Sequence, residues 1–213
     1  MESLSSFCTC SDKLIILDEK RDQYYLPDAE LEAILRNAMS EGLVPQDVRP
    51  ALNDVGLLQL IDGVPRLRMP VEICVPGASL LESDAAIAPP ANIFEVGALV
   101  LKSNMFLRAL PFAARLKHLR ARKARLKQSS PSPALSALAL SFLKARRRIP
   151  IEPVCLADSL AMLDFLWRRG HVPQFIIGVR LNPFTAHCWV QTDELLLNEA
   201  VDFATAFTPI QAI

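Results

Sequence analysis

Apolar and polar positions along the first half of the chain change period twice. Lys13-Leu14-Ile15-Ile16-Leu17-Asp18 and Gln23-Tyr24-Tyr25-Leu26 are short strand-like runs on either side of the polar turn Glu19 to Asp22, and together they predict a hairpin. Phe7 to Cys10 supplies a further strand in front. After Pro27-Asp28 the spacing becomes helical, with Leu31, Ile34, Leu35 and Ala38 on one stripe and Gly42 as its terminator. A second helical stretch is expected from Gln46 to Leu60, broken by Pro50 and Gly56. Three small strands followed by helices form a winged-helix-like unit. Further on, Arg115 to Lys127 reads as an amphipathic basic helix, Ser129 to Pro133 as a loop, and Ala134 to Leu143 as a core helix closed by Lys144 to Arg148. Leu156, Leu160, Leu163 and Trp167 recur at i, i+4, i+7 and i+11 until Gly170, so Cys155 opens a helix. Phe175 to Arg180 predicts a buried strand, and His187 to Gln191 a second one after the turn at Asn182-Pro183. Asp193-Glu194 then turns the chain into a third, Leu195 to Glu199.

Composition narrows the class. Hydrophobic residues make up 51% and charged ones 22% of 213 residues, which excludes a disordered chain. The longest uncharged stretch, Gln128 to Leu143, contains two prolines and is too short for a membrane span. Met1 to Phe7 has no basic and apolar segments of a secretory signal, so a cytoplasmic location is expected. Five cysteines at irregular spacings and three histidines support neither a disulfide framework nor a metal site. The zero net charge conceals a division: residues 1–95 carry 7 basic and 16 acidic side chains, residues 96–213 carry 16 and 7. Two modules are therefore expected, 1–90 and 91–213 with its core in 134–213, meeting near Pro89-Pro90. The fold class is α+β. For the basic segment 115–127, a solvated helix face and a surface for nucleic acid or another anion are the two readings.

The candidate chemistry lies after residue 150. A thiolate at a helix start is stabilised by the helix dipole and by backbone N–H groups, which lowers a Cys pKa. His187 follows Cys155 by 32 residues on a strand, and an acid or amide, Glu199 or Asn198, comes next. Imidazole can deprotonate the thiol while the third group fixes its tautomer. His118 and His171 lack such a context and read as surface residues.

Cys155-Leu-Ala-Asp-Ser-Leu-Ala, Ile177-Gly-Val-Arg180, Pro183-Phe-Thr-Ala-His187-Cys-Trp-Val and Leu197-Asn198-Glu199 together resemble the transglutaminase-like cysteine peptidases of lasso-peptide biosynthesis, the B proteins of the microcin J25 type. The first half is similar to the winged-helix-like precursor-recognition domain that precedes the peptidase in full-length members. The resemblance implies a leader peptidase. Such a protein binds a precursor's leader and hydrolyses the leader–core bond, after which an asparagine-synthetase-like cyclase closes the ring. It also implies Cys155 as nucleophile and His187 as base. The family usually has Asp where Glu199 stands, and Asn198 is the alternative orienter. The precedent for leader recognition is pairing with the edge of Gln23 to Leu26, which singles out Tyr24, Tyr25 and Leu26. ATP dependence belongs to some members, although only seven Gly and no phosphate-binding glycine loop occur in this chain.

Two other classes remain open. A transglutaminase-like site could pass its acyl group to an amine instead of water. A DNA-binding regulator with an inert second half is the other, disfavoured because its reading module would be acidic. Cys188 and Cys74 are expected to be dispensable, Cys188 facing away from His187 on the opposite side of its strand.

Overall fold

Alternation of Phe7, Leu14 and Ile16 with residues of the opposite face builds the first sheet. In the computed structural model, which describes residues 5–41, 44–70, 72–82, 88–126 and 133–213, β1 (Ser5–Cys10), β2 (Lys13–Asp18) and β3 (Gln23–Tyr25) form an antiparallel sheet in that order. Asp28 accepts the Leu31 N–H at 2.8 Å and so starts α1 (Ala29–Glu41), whose Leu35 and Ala38 pack on Phe7, Leu14 and Ile16. Pro50 does not break the expected 46–60 helix. It stands in the first turn of the short α2 (Arg49–Asp54), where a backbone N–H has no partner within the helix and a proline gives up no hydrogen bond. Gly56 at φ 71° ends that segment, and residues 58–67 are extended instead of helical. β4 (Leu58–Ile61) and β5 (Val64–Leu67) pair across Asp62-Gly63, both at positive φ as a tight hairpin turn requires.

Two compact units result, Met1–Glu72 and Ile73–Ile213. The division lies at residue 72, not near residue 90 as Pro89-Pro90 suggested. The cause is a long-range pairing: Leu196 N–H donates to the Ala78 carbonyl, Leu80 N–H to that of Leu196, and the Ser79 hydroxyl to that of Glu199. These bonds fix residues 78–80 within the second unit.

Asn92 caps α3 (Ile93–Ala109), its side chain accepting from the Phe94 and Glu95 N–H groups. The basic segment forms α4 (Phe112–Lys123), with Leu116 and Leu119 buried. Residues 127–132 of the expected basic helix and following loop lie outside the described residues, and α5 spans Pro133–Arg146. α6 (Cys155–Trp167) is buried along nearly its whole length, including Leu160, Leu163, Phe165 and Leu166. Each such Leu or Phe side chain contributes about 1.5–3 kcal/mol. Within α6, the buried Asp164 takes Lys102 of α3 at 2.8 Å, Arg122 of α4, and Arg168 at 3.1 Å. Burial opposes its ionisation, but these three hydrogen-bonded cations prevail and lower its pKa to about 2. Arg122 also stacks on Trp167 at 5.0 Å. Part of the basic helix thus ties three helices together.

The second sheet has the order β7-β6-β8, from β6 (Gln174–Arg180), β7 (Thr185–Gln191) and β8 (Thr208–Ala212), with the short α7 (Val201–Thr205) before β8. The expected third strand at 195–199 is absent. Only Leu196 bridges to Gln191, since its own N–H and C=O are engaged by residues 78–80, and the strand that completes the sheet is β8. One face buries Ile176, Trp189, Leu196, Ala204 and Phe207. A Cβ on Gly178 would lie 2.8 Å from the Trp189 ring and 2.9 Å from Phe207 Cβ. Gly178→Ala is therefore expected to destabilise the protein by about 1–3 kcal/mol through overpacking. Thermal unfolding checks this, and an unchanged midpoint would contradict the packing account.

Candidate active site

Cys155 is the first residue of α6 and is exposed. Val154 gives that helix no side-chain cap, so the first-turn N–H groups and the positive end of the dipole are left to the thiol's side. Arg146 secures the approach. Its Nε donates to Asp158 in the first turn at 2.7 Å, and its terminal nitrogens donate to the Ile149 and Ile151 carbonyls.

His187 stands on β7, opposite Gly178 of β6. Its Nε2 meets Glu199 Oε2 at 2.6 Å, and the Glu199 Oε1 accepts the Ala200 N–H. Nδ1 is then the ring nitrogen left for Cys155, which acts to raise the His187 pKa. Phe203 meets the imidazole edge-on at 5.1 Å between centroids, and Phe207 packs on it at 5.3 Å. These rings fix its plane.

The sequence-based view of Cys188 is corrected here. Cys188 is buried, and its thiol and backbone N–H both act to lower the Cys155 pKa. Strand alternation does turn it from His187, but β7 is an edge strand, and a sulfur at the α6 start can reach both faces at that margin. The Cys188 thiol, and then His187, outweigh the partial desolvation of this surface thiol and pull the Cys155 pKa down to about 4. Burial pulls His187 down, yet its bonds with Cys155 and Glu199 outweigh that and raise it to about 9. Cys188 is pushed well above the usual thiol range by the Cys155 charge it donates to and by burial. Between about pH 4 and about 9 the site holds a thiolate and an imidazolium, with Cys188 protonated.

The expected consequence is an iodoacetamide reaction of Cys155 that rises through about pH 4 and is level near neutrality, where an ordinary thiol gains tenfold per pH unit. Cys188→Ala, lacking the S–H donor, should move the rise to higher pH. Rates by mass spectrometry from acid to alkaline pH check both statements, and an ordinary thiol profile would refute them.

Asn198, the alternative orienter, does not face His187. Its Oδ1 accepts the Val190 N–H at 2.7 Å and its Nδ2 donates to the Ser159 hydroxyl at 2.9 Å, pinning the segment before Glu199. Sequence reasoning missed the Cys188 contact and Arg146. Nothing in the pattern signalled the first, while Arg146 and Asp158 are an ordinary charge pair until the loop between them is folded. In the first unit, β3 is an edge strand of its sheet; Tyr25 packs against the core and Leu26 just beyond is 48% exposed. Among the described residues no group of three His, Cys, Asp or Glu could hold a metal ion, and no helix is long and apolar enough to cross a membrane.

No curated protein and no solved structure matches the chain. The family model described as the transglutaminase-like superfamily matches residues 97–212, over half of the sequence, and includes Cys155, His187 and Glu199. Proteins with this domain include cysteine proteases and acyltransferases, chemistries that a thiolate beside an oriented imidazole can perform. The chain belongs to the transglutaminase-like superfamily.

Proposed function

We propose that this protein is the leader peptidase of a lasso-peptide pathway, cutting a precursor at the leader–core bond. The observation that carries the reading is Cys155 at the start of α6, its pKa lowered by His187, whose imidazole Glu199 holds at 2.6 Å. Sequence resemblance to the B proteins adds the substrate class.

In this reading Cys155 attacks the scissile carbonyl, and the imidazolium of His187 protonates the departing core amine. A thioester to the leader remains. His187 then removes a proton from water, which attacks the thioester and releases the leader with a new carboxylate. Glu199 stabilises the imidazolium and holds the tautomer throughout. The Cys155 N–H at the helix start is one oxyanion donor. Each step uses only peptide, water and these side chains.

The first unit is the winged-helix-like recognition module, and the leader adds as a strand to the β3 edge at Tyr24, Tyr25 and Leu26. The freed core amine passes to an asparagine-synthetase-like cyclase. The test is a synthetic precursor, taken from a short reading frame beside this gene, incubated with the full chain in ¹⁸O-water. One ¹⁸O at the leader's new C-terminus is expected. Transfer of the leader acyl group to an added amine, with no ¹⁸O, would replace hydrolysis by acyl transfer, and an intact precursor would refute both.

A further inference from the structure

Arg180 ends β6 opposite Thr185, two pairs along the hairpin from Gly178 and His187. Cross-strand partners share a sheet face, so Arg180 stands on the His187 face as its diagonal neighbour, within reach of a long side chain. Its guanidinium lies over Phe207 at 5.0 Å, and the same ring packs on the imidazole at 5.3 Å. Arg180 Nε is buried with no hydrogen-bond partner.

The other guanidiniums that the second unit draws inward have oxygen partners. Arg146 has Asp158, Arg122 has Asp164, Arg169 has Glu95, and Arg115 has the Leu107 and Leu110 carbonyls. Among the described residues no carboxylate pairs with Arg180, and Glu199 is committed to His187 and the Ala200 N–H. A buried donor without an acceptor is costly, and stacking on one Phe ring offsets only part of that. A planar anion arriving from outside would satisfy both Nε and a terminal nitrogen at once. Phe203 beside His187 and Phe184 in the β6–β7 turn are 45% and 49% exposed, and Val154 next to Cys155 is 45% exposed. A bound peptide covering these side chains would exclude water and strengthen the ion pair.

We infer that Arg180 is a substrate-binding residue that takes the carboxylate of an Asp or Glu side chain close to the bond attacked by Cys155. The inference rests on the reading of Cys155 as the nucleophile, and it adds a specificity which that reading lacks.

The test needs no knowledge of the natural substrate. N-bromoacetyl-glutamate α-amide and its glutamine counterpart alkylate a thiolate in the same way: sulfur forms a bond to the methylene carbon and bromide leaves with the bonding electrons. With the full chain, Cys155 should react at least tenfold faster with the glutamate reagent. In Arg180→Met that preference should fall several-fold, to what the His187 imidazolium alone confers, while the glutamine reagent keeps its rate. Attraction of anions by the His187 imidazolium is common to both proteins and cancels in the comparison. Should Arg180→Met fold poorly, Arg180→Gln keeps a polar side chain without the charge: a several-fold loss of the parent's preference supports the assignment, and the parent's preference retained overturns it. N-bromoacetyl-glutamine with a free α-carboxylate distinguishes the sources: a preference for it alone would assign Arg180 to a peptide C-terminus and overturn the side-chain assignment. Equal preferences in parent and Arg180→Met, with brisk Cys155 labelling, would overturn the Arg180 inference alone. Failure of Cys155 to be labelled selectively in the parent would overturn the nucleophile reading and this one with it.

Discussion

Cys155→Ala is expected to abolish precursor cleavage, a loss on the order of 10³-fold or more, while leaving leader affinity unchanged. The size follows from the absence of a substitute. Cys188 is the neighbouring thiol, but it is buried, and burial continues to oppose its ionisation once the Cys155 charge that chiefly raises its pKa is gone, so it does not become a replacement nucleophile. His187 retains its place beside Glu199 in the variant, and an imidazole with no thiolate can at most activate water poorly. Binding should be preserved because the proposed recognition strand β3 belongs to the other compact unit. The paired measurement is single-turnover cleavage by mass spectrometry with leader affinity by calorimetry. Residual cleavage at a tenth of the parent rate would remove Cys155 from the role, and lost leader affinity would merge recognition with the site.

Several features of the fold were legible because local chemistry and long-range packing agree there. The helix predicted to open at Cys155 does so, since its apolar i, i+4, i+7 stripe is the face that the second unit buries. The β1–β3 meander and α1 follow the same logic. Where apolar residues surround a helix the period is hidden. α3 buries Val96, Leu99 and Val100 yet exposes Phe94, Leu101 and Met105, and only the Asn92-Ile-Phe-Glu95 capping pattern announces it. Asp62-Gly63 between Leu58-Gln-Leu-Ile61 and Val64-Pro-Arg-Leu67 was an available hairpin signal, obscured by extending the helical reading to residue 60. The pairing of β8 with β6 is non-local, and no pattern near Leu195 shows that residues 78–80 will occupy the Leu196 backbone. For the site, strand parity correctly separated His187 from Cys188 but said nothing of a helix start that meets both. Contacts of that kind are decided by tertiary packing at an edge strand.

Glu199→Gln is expected to lower turnover on the order of 10²-fold or more, within the range seen when an orienting carboxylate is lost. Geometry here departs from what register alone implies. Thr192 N–H donates to Leu195 O, Leu197 N–H donates to Val190 O, and Leu196 bridges to Gln191, the register of a two-residue loop. Continued as a strand, it would set His187 against Ala200 and place Asn198 on the imidazole's face. The chain leaves that path instead. Asn198 spends its amide on Val190 and Ser159, Ser79 draws in the Glu199 carbonyl, and the Glu199 carboxylate reaches Nε2. Gln keeps the size and can still accept a hydrogen bond, but it removes the charge that holds the imidazolium. His187 is raised to about 9 partly by that charge, so its folded value should fall in the variant, and the thiolate–imidazolium window should close from its alkaline side. A merely structural role would lower stability without moving that limb. Asn198→Ala should cost less in turnover, since it loosens the segment without discharging the site, and leader affinity should be intact in both. If matched single-turnover assays give the reverse ranking, with the alkaline limb unmoved in Glu199→Gln, then Asn198 is the orienting residue and the 2.6 Å contact is incidental to the chemistry.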